Sequence, residues 1–329
     1  MEKVTAIIVL ALAFFALSNV STRSVHLESQ NVVPIVTSIE QKSVTILAFG
    51  DIMLDRSVRE RMNTYGEEYP FVKIKDLLRG NDIVYANLEG SITNHPSRTA
   101  YKINAPLVFT FSTTTAPLLS RLGFNILGLA NNHSLNYGLD GLIETRRHLK
   151  ENNIDYFGDP NNIDGISIVK EVNGMKIAFI GLHEFSNKNF DKVISEITQI
   201  CPEVSFCVVV PHWGVEYNKN FTVDQQQKAH EFIDAGASLI LGGHSHVVGP
   251  FEIYKNKAIF YSLGNFIFDQ DFSYDTTHAL VVRITISNKD IHYDLIPISI
   301  VKSQAAVSSA VDKEKMWKTL GTDNFTLSR

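Results

Sequence analysis

The sequence predicts a layered α/β domain, and three observations carry that expectation. From residue 44 onward, short apolar runs alternate with stretches of helical periodicity, the pattern of strands and helices packed in layers. Five of the apolar runs end directly in a cluster of Asp, Asn, Glu or His. Hydrophobic residues make up 44% and charged residues 20% of the 329 positions, which is ordinary globular usage and enough for a core without staples.

The strand candidates, in order, are residues 44–49, 83–86, 125–130, 166–172, 176–181, 205–210, 238–241, 251–254, 258–262, 279–286 and 291–296. Asn173-Gly174 lies between the fourth and fifth. It signals a tight hairpin, because a type I′ turn needs positive φ at both central residues. Helix candidates are 71–79, 114–122, 139–152 and 223–235. In the third, Leu139, Leu142, Ile143 and Leu149 share a face, while Glu144, Arg147 and Lys150 fall elsewhere, as in an amphipathic surface helix. Gly123 and Gly236 stand where C-caps are expected. Residues 303–329 are polar and read as a loosely packed tail with a short helix around 313–320.

The chain ahead of residue 44 reads as an export device. Lys3 precedes an apolar stretch from Val4 to Leu17, short for a spanning helix and typical of a signal peptide. Residues 1–20 are a signal peptide cleaved near Ala16 and Ser18, or a signal anchor if the run extends to Val20. A linker over 21–43 and a working domain over 44–302 follow. The expected location is the extracellular or periplasmic face of a membrane, or the medium after cleavage. Cys201 and Cys207 are too few for a disulfide framework. Two buried thiols are the favoured reading, with a disulfide open to an exported chain. The net charge of -5, with no basic stripe, excludes a nucleic-acid footprint. Anionic ligands stay open, because bound cations outweigh a mildly negative surface.

The five polar clusters carry the chemistry. Gly50-Asp51, Asn87-Leu88-Glu89, Asn131-Asn132-His133, His212-Trp213-Gly214 and Gly242-Gly243-His244-Ser245-His246 each follow a strand candidate. Ligands of α/β sheets gather at the carboxyl ends of strands, and packing gives no reason for five ends of this chemistry. Neutral imidazole is the commonest metal ligand. Gly242 and Gly243 are expected to allow close approach and unusual φ angles. A shared metal centre is the reading.

In this order, Asp51, Asn132-His133, His212 and Gly243-His244-Ser245-His246 resemble the signature of the calcineurin-like metallophosphoesterases. Gly50-Asp51-Ile52-Met53-Leu54, Asn87-Leu88-Glu89, Ala130-Asn131-Asn132-His133, Pro211-His212-Trp213-Gly214 and Ser262-Leu263-Gly264-Asn265-Phe266 look like the poly-γ-glutamate capsule biosynthesis (CapA-type) branch. The resemblance implies a four-layer α/β/β/α sandwich holding one or two divalent ions, such as Mn, Fe, Zn or Mg. His244, His212 and Asn132 would hold one ion, and Asp51 and His246 the other. Glu89 would bridge them, with Asn87 the second choice. His133 would face the substrate as a catalytic proton donor. Met53 stands where the broader signature has a His, and a thioether is a poor ligand for such ions; His183 is the residue to watch as its substitute. Arg56, Tyr101 and Lys102 are candidates for substrate binding. The implied function is capsule biosynthesis on poly-γ-glutamate or another anionic polymer, through hydrolysis or transfer. The alternative is a non-catalytic, membrane-tethered accessory that guides the polymer for a synthase complex.

Overall fold

The computed structural model describes residues 43–102, 106–186 and 189–329. The expected signal segment and almost all of the linker lie outside the described residues, among which no helix is long and apolar enough to cross a membrane.

The chain builds one sheet, then a second, and returns to the first. β1 (Val44–Ile52) is followed by α1 (Arg56–Tyr65), α2 (Lys75–Leu78) and β2 (Ile83–Leu88). A short ribbon of β3 (Ser91–Ile92) and β4 (Thr110–Phe111) leads to α3 (Thr115–Leu122), β5 (Ile126–Gly128), α4 (Gly138–Glu151) and β6 (Asp155–Phe157). β1, β2, β5 and β6 pair in parallel in that order. The second sheet takes β7 (Ser167–Val172), β8 (Met175–His183), α5 (Phe190–Ile200), β9 (Phe206–His212), α6 (Val223–Asp234), β10 (Leu239–Leu241), β11 (Phe251–Tyr254) and β12 (Lys257–Phe260). Its strand order is β11-β12-β10-β9-β8-β7. The chain then returns through β13 (Asn265–Ile267), parallel to β1, and β14 (His278–Ile286), antiparallel to it. β15 (Asp290–Val301), β16 (Gln304–Val307), α7 (Ala310–Leu320) and β17 (Asn324–Ser328) complete the fold, with β16 and β17 both paired to β15.

Period-2 alternation explains the layers. Ile46 and Ala48 of β1 pack with Ile177 and Phe179 of β8 and Phe206 and Val208 of β9 between the sheets. Leu47 and Phe49 face the other way, onto Val58 of α1, Leu118 of α3 and Leu149 of α4. Ala178 and Ile180, with Cys207 and Val209, face Val193 of α5 and Phe232 of α6. Successive side chains leave opposite faces of a strand, so two doubly covered sheets give the expected α/β/β/α sandwich.

Several expectations need correction. The 71–79 helix is shorter: a 3₁₀ turn carries the chain round Pro70, and only Lys75–Leu78 is α-helical. α1 and α5 were not expected. The polar stretch after residue 302 is no loose tail, since β16, α7 and β17 are built onto the long strand β15. Its polarity belongs to edge strands with one exposed face. Cys201 and Cys207 are joined in a disulfide rather than left as two buried thiols. The Asn173-Gly174 turn has the expected positive φ at both residues, 51° and 74°.

Candidate metal centre

The carboxyl ends of parallel strands from both sheets meet at one place. Asp51 ends β1 between Asn87 of β2 and Asn265 of β13, its register partners on either side. His212 ends β9 opposite Gly243. Loops after β5 and β10 bring Asn132, His133, His244 and His246. Gly242 allows the approach: a Cβ there would lie 2.1 Å from the Tyr261 carbonyl oxygen. The unusual backbone angles fall elsewhere than expected. His244 (φ 88°) and His246 (φ 60°) adopt left-handed conformations themselves, while neither Gly242 nor Gly243 does. Such conformations are held by their surroundings and cluster at functional sites.

Two donor groups result. In the first, Asn132 Oδ1 is 2.9 Å from His212 Nε2, which is 3.2 Å from His244 Nδ1. In the second, Asp51, Glu89 and His246 place donor atoms within 4.8 Å of one another, all buried. Glu89 keeps company with Asp51, His246 and His133, while the side chain touching both groups is Asn87, 2.8 Å from Asp51 Oδ1 and 3.5 Å from His212 Nδ1. Glu89, the expected bridge, is grouped with Asp51 and His246, and Asp51 Oδ2 also accepts the His244 N–H at 3.4 Å. Asn87 is the residue between the two groups.

Hydrogen bonds fix which atoms are free. Asn131 donates to the Leu88 carbonyl and accepts from the His133 N–H. Its amide orientation is thereby set, and its N–H also goes to Asn87 Oδ1 at 3.0 Å. Asn87 consequently turns its own N–H toward Asp51. The same logic assigns tautomers. Asn136 Oδ1 accepts from the Phe109 N–H, so His133 Nδ1, 3.0 Å from that oxygen, donates to it. Asn265 commits its N–H to Gln270 and to the Thr276 carbonyl, so its Oδ1 accepts from His246 Nδ1. In each neutral ring the lone pair is on Nε2. Both lone pairs face Glu89 Oε1, at 3.7 Å from His133 and 3.8 Å from His246.

This arrangement fits a cation. Neither Glu89 oxygen has a hydrogen-bond partner, although the residue is fully buried. An uncompensated buried carboxylate is costly. Burial, then the charge of Asp51, push the Glu89 carboxyl well above its usual range. Burial also raises Asp51 to about 6. Burial holds His244 down to about 3 and His246 to about 4, and depresses His212 well below the usual imidazole value. The imidazoles are therefore neutral and able to ligate. A divalent ion would be held by Asp51, Glu89 and His246, and a second by Asn132, His212 and His244.

The remaining expected residues divide. The Met53 sulfur accepts the Asp55 N–H at 3.1 Å within the core, so it is turned away from ligation. His183 donates Nδ1 to the Pro160 carbonyl at 2.7 Å and leaves a buried Nε2 without a partner. Its ring lies 6.3 Å from that of His212. It flanks the first group rather than Asp51, where the missing ligand would stand. Arg56 and Lys102 line one cavity, whereas Tyr101 is exposed and bonds Asn63 through its hydroxyl. Sequence reasoning missed Asn265 and Asn136 as orienting groups. The signal for Asn265 was a lone amide inside the apolar run 263–268.

Residues 45–270 match the family of the bacterial capsule synthesis protein PGA_cap. The chain belongs to that family. It is 31% identical over 305 residues to the capsule biosynthesis protein CapA of Bacillus anthracis, across 86% of this chain and 74% of that one. It is 30% identical over 275 residues to the PGA biosynthesis protein CapA of Bacillus subtilis (strain 168), across 78% and 72%. Among solved structures, a putative 5'-nucleotidase from Staphylococcus aureus overlaps 81% of this PGA_cap chain and 53% of its own, at 14% identity and a TM-score of 0.44. A purple acid phosphatase from yellow lupin seeds overlaps 88% and 54%, at 9% identity and a TM-score of 0.38.

Proposed function

We propose that this PGA_cap chain is an exported, metal-dependent protein of capsule-polymer synthesis that hydrolyses or transfers bonds in an anionic polymer, with poly-γ-glutamate its substrate. The observation that carries this reading is the buried carboxylate of Glu89, without a hydrogen-bond partner and faced by Asp51 and two imidazole lone pairs. A divalent ion relieves that conflict, and when bound it supplies Lewis-acid polarisation of a substrate oxygen. His133 does the proton work. Its Nδ1 is pinned to Asn136, its ring rests on Phe109, and Nε2 is the nitrogen that takes or gives a proton. The apolar N-terminal run and the Cys201–Cys207 disulfide both support export, since disulfides persist in oxidising compartments.

A second reading has its own support. The Met53 sulfur in the core leaves one ligand position without an imidazole, and the neutral Asn87 amide stands between the donor groups, an arrangement better suited to holding a polymer through one ion than to two-metal hydrolysis. On that reading the protein is a membrane-tethered accessory that binds the polymer through the metal and guides it to a synthase. The word accessory appears in the name of a relative, a probable polyglutamine synthesis accessory protein of Mycobacterium tuberculosis, 22% identical.

One experiment separates them. The purified chain is assayed for bound metal and for cleavage of poly-γ-glutamate and of a generic phosphodiester, beside His133→Ala. Turnover that is lost in the variant while metal content holds supports the enzyme. Polymer binding released by chelator, with no turnover under Mn²⁺, Zn²⁺, Fe²⁺ or Mg²⁺, supports the accessory. A chain that binds no divalent ion sinks both.

A further inference from the structure

We propose that Arg56, anchored by Asp269, is a carboxylate clamp beside the metal centre that seats one α-carboxylate of a γ-linked glutamyl chain. This inference rests on the polymer reading above and names the group that would recognise it. Arg56 opens α1 directly after the β1 loop, with a left-handed backbone (φ 53°) that a non-glycine residue adopts only when its surroundings hold it there. Its Nε lies 3.3 Å from Asp269 Oδ2, and the same oxygen accepts the Ser57 N–H at 3.1 Å. The Asp269 side chain is 3% exposed and that of Arg56 31%. The guanidinium is therefore tethered at one nitrogen from below. Its two terminal nitrogens have no hydrogen-bond or ion-pair partner among the described residues.

Arg56 borders a cavity of about 250 Å³ that is also lined by Lys102, Thr99 and Ser57, and by Glu60, whose carboxylate accepts the Tyr101 N–H. Lys102 likewise has no ion-pair partner among the described residues. The ring of Phe268, the residue before Asp269, lies 4.9 Å from that of His246, which places the Arg56–Asp269 pair at the edge of the metal centre. A planar guanidinium fork matches a carboxylate with two parallel hydrogen bonds. One held in place before the ligand arrives loses less freedom on binding. In a γ-linked glutamyl chain each side-chain carboxyl is spent on the amide, and each α-carboxylate is free to be gripped. Asp269 acts through Arg56 and is a positioning residue.

The test is calorimetric titration of the metal-loaded full chain with a γ-linked glutamate oligomer at low salt. Arg56→Gln should bind the oligomer roughly 10- to 100-fold more weakly, Arg56→Lys should recover part of that loss, and Asp269→Asn should fall between. Metal content and melting temperature should match the parent for Arg56→Gln and Arg56→Lys. Binding of Arg56→Gln within about twofold of the parent overturns the clamp and leaves the polymer reading standing. Displacement of the oligomer by an equal concentration of inorganic phosphate also overturns it, because the cavity would then be a phosphate site. Failure of the parent itself to bind the oligomer removes the polymer reading and the clamp together.

Discussion

Asn265 Oδ1 accepts the Nδ1 proton of His246 at 3.0 Å, and that contact decides which nitrogen of His246 faces Glu89. The amide cannot turn over, because its N–H is held by Gln270 and by the Thr276 carbonyl. Outer groups of this kind fix the orientation of ligating imidazoles. Asn265→Ala should therefore lower divalent-metal affinity by roughly 10- to 100-fold without removing a ligand. Competition with a calibrated chelator measures it. An affinity within about twofold of the parent would mean that His246 finds its orientation without help.

Glu89 should behave oppositely in the two metal states. Without a cation its ionised form faces other electron-rich atoms, so at alkaline pH, where the carboxyl is ionised, Glu89→Gln should stabilise the metal-free protein by roughly 1–3 kcal/mol. The new N–H can donate to the lone pairs of His133 or His246. With metal present the same change removes an anionic ligand and should lower stability and affinity together. Denaturant unfolding with chelator and with saturating Mn²⁺ reads both signs. Destabilisation of the metal-free form would show that Glu89 is satisfied as it stands.

How much of this was legible in the sequence depends on what each residue needs. Asp51, Asn132, His212, His244 and His246 each follow a buried strand, and chain order alone made that visible. Asn265 and Asn136 matter through the rings they orient, which is a relation across 19 positions for one and 3 for the other. The lone amide in an apolar run marks Asn265 as unusual but not which ring it orients, and nothing beside Asn136 marks it at all. The amide of Asn87 was weighed as a bridge only because its N–H direction, set through Asn131, has no trace in sequence. Among the elements, α1 escaped notice because only Val58 of its ten residues is buried, leaving almost no apolar face to read. β17 alternates exposed with half-buried positions at the edge of β15, so its composition resembles a loop.

The centre should make the metal-free protein acid-sensitive. Burial depresses the imidazoles of His133, His183, His212, His244 and His246. Each contributes stability that is present above the unfolded value of 6.5 and is lost as pH falls toward its folded value, about 4 for His246 and about 3 for His244. Asp51 and Glu89 are raised and work the other way, gaining stability on protonation. Five depressed imidazoles outweigh two raised carboxyls. The melting temperature of the chelated protein should therefore drop by roughly 5–10 °C between pH 7 and pH 5, and Glu89→Gln should steepen the drop by removing one opposing group. A flat or rising profile over that interval would contradict buried neutral imidazoles.

The Cys201–Cys207 bond closes a short loop between the end of α5 and the first half of β9. Cys207 lies in the layer packed against α5 and α6, with Cys201 beside it. Closing so short a loop restrains the unfolded chain by about 2 kcal/mol in the chain-entropy account. Protein isolated from outside the cell should show no free thiol under denaturing conditions until reductant is added, and Cys201→Ser with Cys207→Ser should unfold at lower denaturant. Metal affinity should be unchanged, since Cys207 lies on the face of the second sheet opposite the inter-sheet core and five residues before His212. Two reactive thiols in the exported protein would break the link between this bond and an oxidising compartment, and with it one of the two supports for export.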